Sequence, residues 1–312
     1  MKRTLLVFLA LSLSACVPVP TVELAAETTL PNARASQVAF GEFETYYERS
    51  GFVTGQPVLM LHGIGGGSSL FQYRKNSEAL ARRGYDVFAL DLLGFGRSSR
   101  PATRYTQDLH VAQIEQFIED EIGRPTVIVA NGLSAAYSIR LAAERPDLIE
   151  ALVLIGPTGY ERLARPQNEE RIESFERFSG GLGELIYQVL LADNIRDIFL
   201  LDAYISEESL TPEVLNEFDA QLRVKNAKWV ILSFISGNLD QDVRGLWSEV
   251  SQPALIVWGQ QAETTPIEDA QDFLAVRPEV ELVAINGAKL VPNEDRPEMF
   301  NEAVLGFLEG LE

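Results

Sequence analysis

Six short apolar runs rich in β-branched residues punctuate the chain: Pro57–Leu61, Val87–Leu90, Thr126–Ala130, Ala151–Ile155, Ala254–Trp258 and Glu281–Ile285. Each has strand length, and most intervals between them suit a crossover helix. The pattern predicts an α/β fold, a mostly parallel sheet with helices on both faces. Phe43–Tyr47 reads as an antiparallel edge strand. One interval breaks the alternation. Between Ile155 and Ala254 helical stripes replace the strands, at Ile172, Phe175 and Phe178, at Leu185, Ile186, Val189 and Leu190, and at Leu215, Phe218 and Leu222. Gly180-Gly181 and the helix-start pair Thr211-Pro212 separate these stripes. The expectation is an all-α cap over 157–250, inserted into a core made of 37–156 and 251–312.

Upstream of the core the pattern changes. Lys2 and Arg3 precede the apolar run Leu5–Leu13, and small residues Ser14 and Ala15 lead into Cys16, the layout of an export signal over 1–15. Leu13-Ser14-Ala15-Cys16 resembles the bacterial lipobox, which implies a mature chain that starts at a lipidated Cys16. An ordinary secretory signal with an incidental cysteine is the other reading. The run is too short to span a bilayer as a helix. Several acyl chains, at about 0.8 kcal/mol per buried CH₂, make a stable anchor instead. Residues 16–36 carry three prolines and no hydrophobic periodicity, so they read as a tether. The expected location is the bacterial cell envelope, outside the cytoplasm, with the membrane as partner through Cys16.

Composition narrows the partners further. The 312 residues are 46% hydrophobic, enough for one large domain with an inserted subdomain. A formal charge of −19 repels phosphate backbones, so nucleic acid is excluded as a partner, and docking on anionic lipid is disfavoured. A single cysteine permits no internal disulfide. Two isolated histidines make no metal cluster. Gly63–Gly67 lacks the Lys-Ser/Thr of a phosphate-binding loop, and Gly94-Phe95-Gly96-Arg97-Ser98-Ser99 is no dinucleotide fingerprint, so no cofactor is expected.

Three segments follow strands in register. They are Leu61-His62-Gly63-Ile64-Gly65-Gly66-Gly67, Asp91-Leu92-Leu93-Gly94-Phe95-Gly96-Arg97-Ser98, and Val127-Ile128-Val129-Ala130-Asn131-Gly132-Leu133-Ser134-Ala135-Ala136, the last leading into a helix that ends near Glu144-Arg145-Pro146. Together with Gly156-Pro157-Thr158-Gly159 before the cap and the Trp258-Gly259 turn, they resemble the α/β-hydrolase superfamily over about residues 40–310. The resemblance implies an oxyanion loop at His62, Gly63 and Ile64, completed by Leu133. It also implies an elbow that presents a nucleophile.

The three catalytic positions carry other residues. Counting back from the helix end puts the nucleophile position at Gly132, where the family's Gly-His-Ser-x-Gly-Gly becomes Ala130-Asn131-Gly132-Leu133-Ser134-Ala135. A displaced elbow with Ser134 as nucleophile is the competing reading. The acid position, three residues after Gly259, is Ala262; the adjacent Glu263 reads as a surface acid. Leu290 fills the histidine slot in Gly287-Ala288-Lys289-Leu290-Val291-Pro292-Asn293-Glu294-Asp295-Arg296-Pro297, and Asn293 stands where relatives often carry a second histidine. His62 is expected to hold the oxyanion loop, and His110, on a helix over Asp108–Ile122, to be a core or surface histidine. Without a base a serine hydroxyl is a poor nucleophile. The expectation is a non-catalytic, lipid-anchored protein that binds an apolar small molecule, between the sheet and the cap near Ile64, Leu133 and Leu290, or a protein partner. The alternative is an active serine hydrolase of ester type that uses Ser134.

Overall fold

The computed structural model of the chain describes residues 21–24 and 27–311. The stretch read as an export signal, and Cys16, lie outside the described residues. Eight strands form one sheet: β1 Arg34–Phe40, β2 Phe43–Gly51, β3 Pro57–Leu61, β4 Asp86–Leu90, β5 Thr126–Asn131, β6 Ile149–Ile155, β7 Ala254–Gly259 and β8 Glu281–Ile285. Their order is β1-β2-β4-β3-β5-β6-β7-β8. β1 and β2 run antiparallel to their neighbours, and every pairing from β4 to β8 is parallel.

The central strands are continuous apolar runs because both of their faces are covered. Leu59, Leu61, Phe88, Leu90, Ile128, Ala130, Leu152, Leu154, Ile256 and Trp258 point into one core cluster. Their alternate neighbours, among them Val58, Met60, Val87, Val127, Val129, Val153 and Leu255, point into the other. On the sides of this sheet lie α1 (Ser77–Arg82), α2 (Gln107–Phe117), α3 (Leu133–Glu144), α9 (Ala270–Val276), α10 (Pro292–Asp295) and α11 (Pro297–Glu309). The helix expected over Asp108–Ile122 is α2 followed by a π-turn at Ile118–Ile122, which Gly123 ends.

Two expectations at the N-terminal side are corrected. Phe43–Tyr47 belongs to β2, which is not an edge: β1 pairs along it, from Arg34 opposite Arg49 to Phe40 opposite Phe43. The stretch 16–36 is therefore not tether throughout. Most β1 side chains are exposed, so the strand lacks the alternation that marks a half-buried one. Backbone pairing to β2 holds it. Further upstream, the buried Glu48 carboxylate accepts from the N–H groups of Thr29 and Leu30 at 2.7 Å each and from the Tyr46 hydroxyl at 2.8 Å. Leu30 is buried with it.

Between β6 and β7 stand five helices: α4 (Glu169–Ser179), α5 (Gly181–Leu190), α6 (Asp193–Ala203), α7 (Pro212–Arg223) and α8 (Lys228–Ile235). The Thr211 hydroxyl caps α7 by accepting from Val214 N–H, with Pro212 at the first turn. Not every apolar residue of the stripes turns inward: Phe175 and Leu222 are buried, whereas Ile172, Leu185 and Val189 are exposed.

Candidate functional site

In an open parallel sheet, the crevice for a ligand lies beyond the carboxyl ends of the strands, where the strand order reverses. Here β3 is flanked by β4 and β5, so the loops after β3 and β5 border that crevice. The loop after β3 carries His62, Gly63 and Ile64, and the turn after β5 is Gly132.

Gly132 is the N-terminal cap of α3 with φ 58° and ψ −114°. A Cβ built there meets no atom within 4 Å. The backbone thus makes the sharp strand-to-helix turn of an elbow and offers room for a side chain, but supplies none. Leu133 opens the helix, and its N–H makes no hydrogen bond among the described residues; neither does that of Ile64. The Gly63 N–H is committed, donating to Gln72 Oε1 at 2.9 Å.

Ser134 is the second residue of α3, in its first turn, and is fully buried. Its hydroxyl donates to the His62 carbonyl at 2.6 Å, and its own carbonyl accepts from the Ser138 hydroxyl at 2.8 Å. The hydroxyl therefore ties α3 to the loop after β3 and points at no base. The His62 ring lies within the core: Nδ1 lies 2.8 Å from the Gly63 carbonyl and Nε2 accepts from Leu92 N–H at 3.1 Å. That pairing fixes the tautomer with the proton on Nδ1. Burial lowers its pKa to about 4, so it is neutral at pH 7. His110 is equally buried; its Nε2 donates to the Leu93 carbonyl at 3.0 Å, and burial again lowers its pKa to about 4. Its ring sits among Phe95, Tyr105 and Tyr137. Neither imidazole hydrogen-bonds a serine hydroxyl.

The loops after β7 and β8 meet beside the elbow. Asn131, the residue before Gly132, donates from Nδ2 to the Leu290 carbonyl at 2.9 Å. Gln261 N–H donates to the Ala288 carbonyl at 3.0 Å, which brings Ala262, itself buried, alongside the Leu290 loop. Glu263 is exposed. Asn293 is buried and structural: its Nδ2 donates to the Gln72 carbonyl at 2.8 Å and to Asn76 Oδ1 at 3.2 Å. Among the described residues no group of three His, Cys, Asp or Glu side chains could hold a metal ion.

A model of the α/β-hydrolase fold matches residues 56–297. The chain belongs to that family. A hydrolase of 2-hydroxy-6-oxo-6-(2'-aminophenyl)hexa-2,4-dienoic acid from Metapseudomonas resinovorans is 27% identical over 86% of this chain and 88% of its own length. Lipase 3 of Moraxella sp. is 24% identical over 82% of this chain and 78% of its own. Among solved structures, a serine hydrolase involved in carbazole degradation superposes with a TM-score of 0.68, at 25% identity over 89% of this chain and 99% of that one. The hydrolase-fold assignment rests on the whole core, and its relatives are hydrolases.

Cap and core enclose a small cleft. Its lining includes Gly65, Gly66, Gly67 and Ser68 from the glycine loop, Phe95 and Arg100 from the loop after β4, and Leu222, Val230 and Ile231 from the cap. Gly67 has φ 79°, and a Cβ there would fall 2.2 Å from the Phe218 ring, so only glycine lets the cap helix α7 approach this closely. The cleft is less apolar than expected from the hydrophobic pattern. Arg100 donates to the carbonyls of Gln221 and Gly96 and to the Gln221 side chain, and burial lowers its pKa to about 10. Ile64, Leu133 and Leu290, the expected lining, pack with the main core cluster.

Two buried carboxylates lie inside motifs read from the sequence, where no role was assigned to them. Asp91 is fully buried and accepts from Leu70 N–H and Arg97 N–H at 2.8 Å each, pinning the loop after β4. Burial raises its pKa to about 6, against those two hydrogen bonds. Glu294 is buried in an ion pair with Arg74, takes a 2.7 Å hydrogen bond from the cap residue Tyr204, and is pushed up in pKa by desolvation. It locks the cap to the loop that carries Leu290.

Proposed function

We propose that this chain is a lipid-anchored member of the α/β-hydrolase fold family that does not hydrolyse and instead uses its cleft or surface to bind. The observation that carries the reading is the elbow: Gly132 has the turn conformation and the open space of a nucleophile position and no side chain. Ala262 and Leu290, on the loops beside it, offer neither carboxylate nor imidazole. The Ser134 hydroxyl donates its hydrogen bond to a backbone carbonyl, and both histidines are neutral and engaged. Loss of a triad member leaves only what binding and the oxyanion hole supply. The bound partner is an apolar small molecule taken up between sheet and cap, or another protein. The site of action is the bacterial cell envelope, with Cys16 as the anchor.

A fluorophosphonate probe and p-nitrophenyl esters test this on the full chain. No labelling and no turnover are expected. Labelling that Ser134→Ala abolishes overturns the reading. Thermal stabilisation by a lipid or apolar compound supports the small-molecule form; no response across such a panel leaves the protein partner. A second reading, an ester-type hydrolase working through Ser134, is favoured by the relatives, which are hydrolases and lipases by name. It requires the Ser134 hydroxyl to leave the His62 carbonyl and find a base, and the same probe decides it.

A further inference from the structure

The cap exposes an apolar face. Leu182, Leu185 and Val189 on α5 and Ile198 and Phe199 on α6 are between 37% and 63% exposed. Positions 182, 185 and 189 follow helical spacing and share one side of α5, and α6 begins after a linker of only residues 191–192. α5 carries one charged residue, Glu184, which pairs with Lys228 at 2.7 Å. α6 carries Asp193, Arg196, Asp197 and Asp202; Arg196 pairs with Asp193, Asp197 and Asp219, and Asp202 accepts from the Thr264 hydroxyl. A soluble surface does not ordinarily gather large apolar side chains in this way without something to cover them.

The path of the chain indicates what covers them. Val22 N–H donates to the carbonyl of Arg223, the last residue of α7, at 3.0 Å. The preceding carbonyl, of Leu222, accepts from the Tyr187 hydroxyl on α5, and Asp219, one turn earlier, holds Arg196 on α6. The N-terminal segment thus reaches the body beside the two helices that carry the apolar face. Cys16 precedes Val22 by six residues, which span at most about 20 Å when fully extended.

We propose that the α5–α6 face lies on the bilayer that holds the acylated Cys16, with Leu182, Leu185, Val189, Ile198 and Phe199 in the boundary between headgroups and acyl chains. This rests on the lipid-anchor reading above. The lipid is one of low charge, because a protein of net charge −19 is repelled by an anionic surface. The cap then faces the membrane, and the amino-terminal end of the parallel strands faces away. That end carries the exposed Phe52 and Val53, which follow Gly51, the residue paired with Asp86 at the start of β4.

The test uses the acylated full chain in phosphatidylcholine vesicles. An environment-sensitive fluorophore is placed on Leu185→Cys, Phe199→Cys or, for reference, Val53→Cys; acylation consumes the Cys16 thiol, so each variant labels at one site. The expected result is blue-shifted emission at 185 and 199, quenched by nitroxide lipids at a depth of about 5–10 Å, and an unshifted, unquenched label at 53. Hydrogen exchange on the unsubstituted protein should slow over 182–199 when vesicles are present. An acylated chain whose labels at 185 and 199 stay as exposed as the one at 53 overturns the orientation while leaving the anchor intact. Blue-shifted labels without nitroxide quenching mean that protein covers the face, and overturn lipid as its occupant. A Cys16 thiol that remains reactive, with no vesicle association, removes the anchor and the orientation together.

Discussion

Gly132→Ser tests whether the elbow has kept its shape without its chemistry. A residue with a Cβ at φ 58° and ψ −114° lies outside the left-handed basin open to ordinary side chains, which costs about 1–3 kcal/mol. No packing cost adds to this, because nothing lies within 4 Å of the new Cβ. With about 2.1 cal/mol/K of unfolding entropy per residue over the ordered chain, the loss appears as a fall of about 2–5 °C in Tm. Gly132→Ala should fall by a similar amount, since the strain is in the backbone. Gly67→Ala should fall further: it adds a clash with Phe218 to a positive φ, and overpacking contributes about 1–3 kcal/mol more. The assay is thermal unfolding of the three variants, paired with fluorophosphonate labelling. Gly132→Ser should label no faster than Gly132→Ala, because no imidazole is free to take its proton. Rapid labelling of the serine variant alone would refute the reasoning by revealing a base within reach. A Gly132→Ala as damaging as Gly67→Ala would sink the claim of open space.

Three further outcomes are expected. Ser134→Ala removes a buried hydrogen bond and should lower stability by about 0.5–1.5 kcal/mol in urea unfolding, with no change in probe labelling. Arg74→Met should cost about 3–5 kcal/mol, because Glu294 is left as a buried charge without its cation; adding Glu294→Gln should recover part of the loss. Asp91 has its folded pKa raised from 3.8 to about 6, so its favourable contribution is full below its unfolded pKa and is lost as pH rises through about 6. Ionised Asp91 therefore disfavours the folded state by about 3 kcal/mol at pH 7. Wild type should gain stability relative to Asp91→Asn as pH falls from 7 to 4, and a pH-independent difference would contradict that sign.

The parallel strands were legible from their apolar runs. Pro57–Leu61 matches β3 residue for residue, β7 extends its run only by Gly259, and even the edge strand β8 matches Glu281–Ile285. At the other edge, where side chains are exposed, the signal fades. β1 has exposed side chains on both faces and is held by backbone pairing and by the docking of Leu30 on Glu48, which no local pattern announces. In the cap, α6 escaped the stripes because Ile198 and Phe199 face outward while Leu200 faces in, so its apolar residues do not line one side. The turn at Gly132 could be found by counting from the helix end, because strand, elbow and helix are contiguous. The bonds that shape its surroundings could not, since Gln72 reaches Asn293 across 221 residues and Asn131 reaches Leu290 across 159.

On the silent-site reading, these long-range bonds also account for the order of the loops around Gly132. A working elbow stores strain under its nucleophile and holds polar groups ready for a substrate. Here glycine relieves the strain at 132, and Ala262 and Leu290 leave no buried polar side chain to satisfy. The polar side chains around Gly132 hold the loops together: Gln72 accepts from the Gly63 N–H, Asn131 donates to the Leu290 carbonyl, and Ser134 donates to the His62 carbonyl. Stability and activity pull against each other at such positions, and on the silent-site reading this chain resolves that tension toward stability. The lining of the cleft beside Arg100 includes none of Gly132, Ala262 and Leu290, so on that reading changes at these three positions leave the cleft's own lining unaltered.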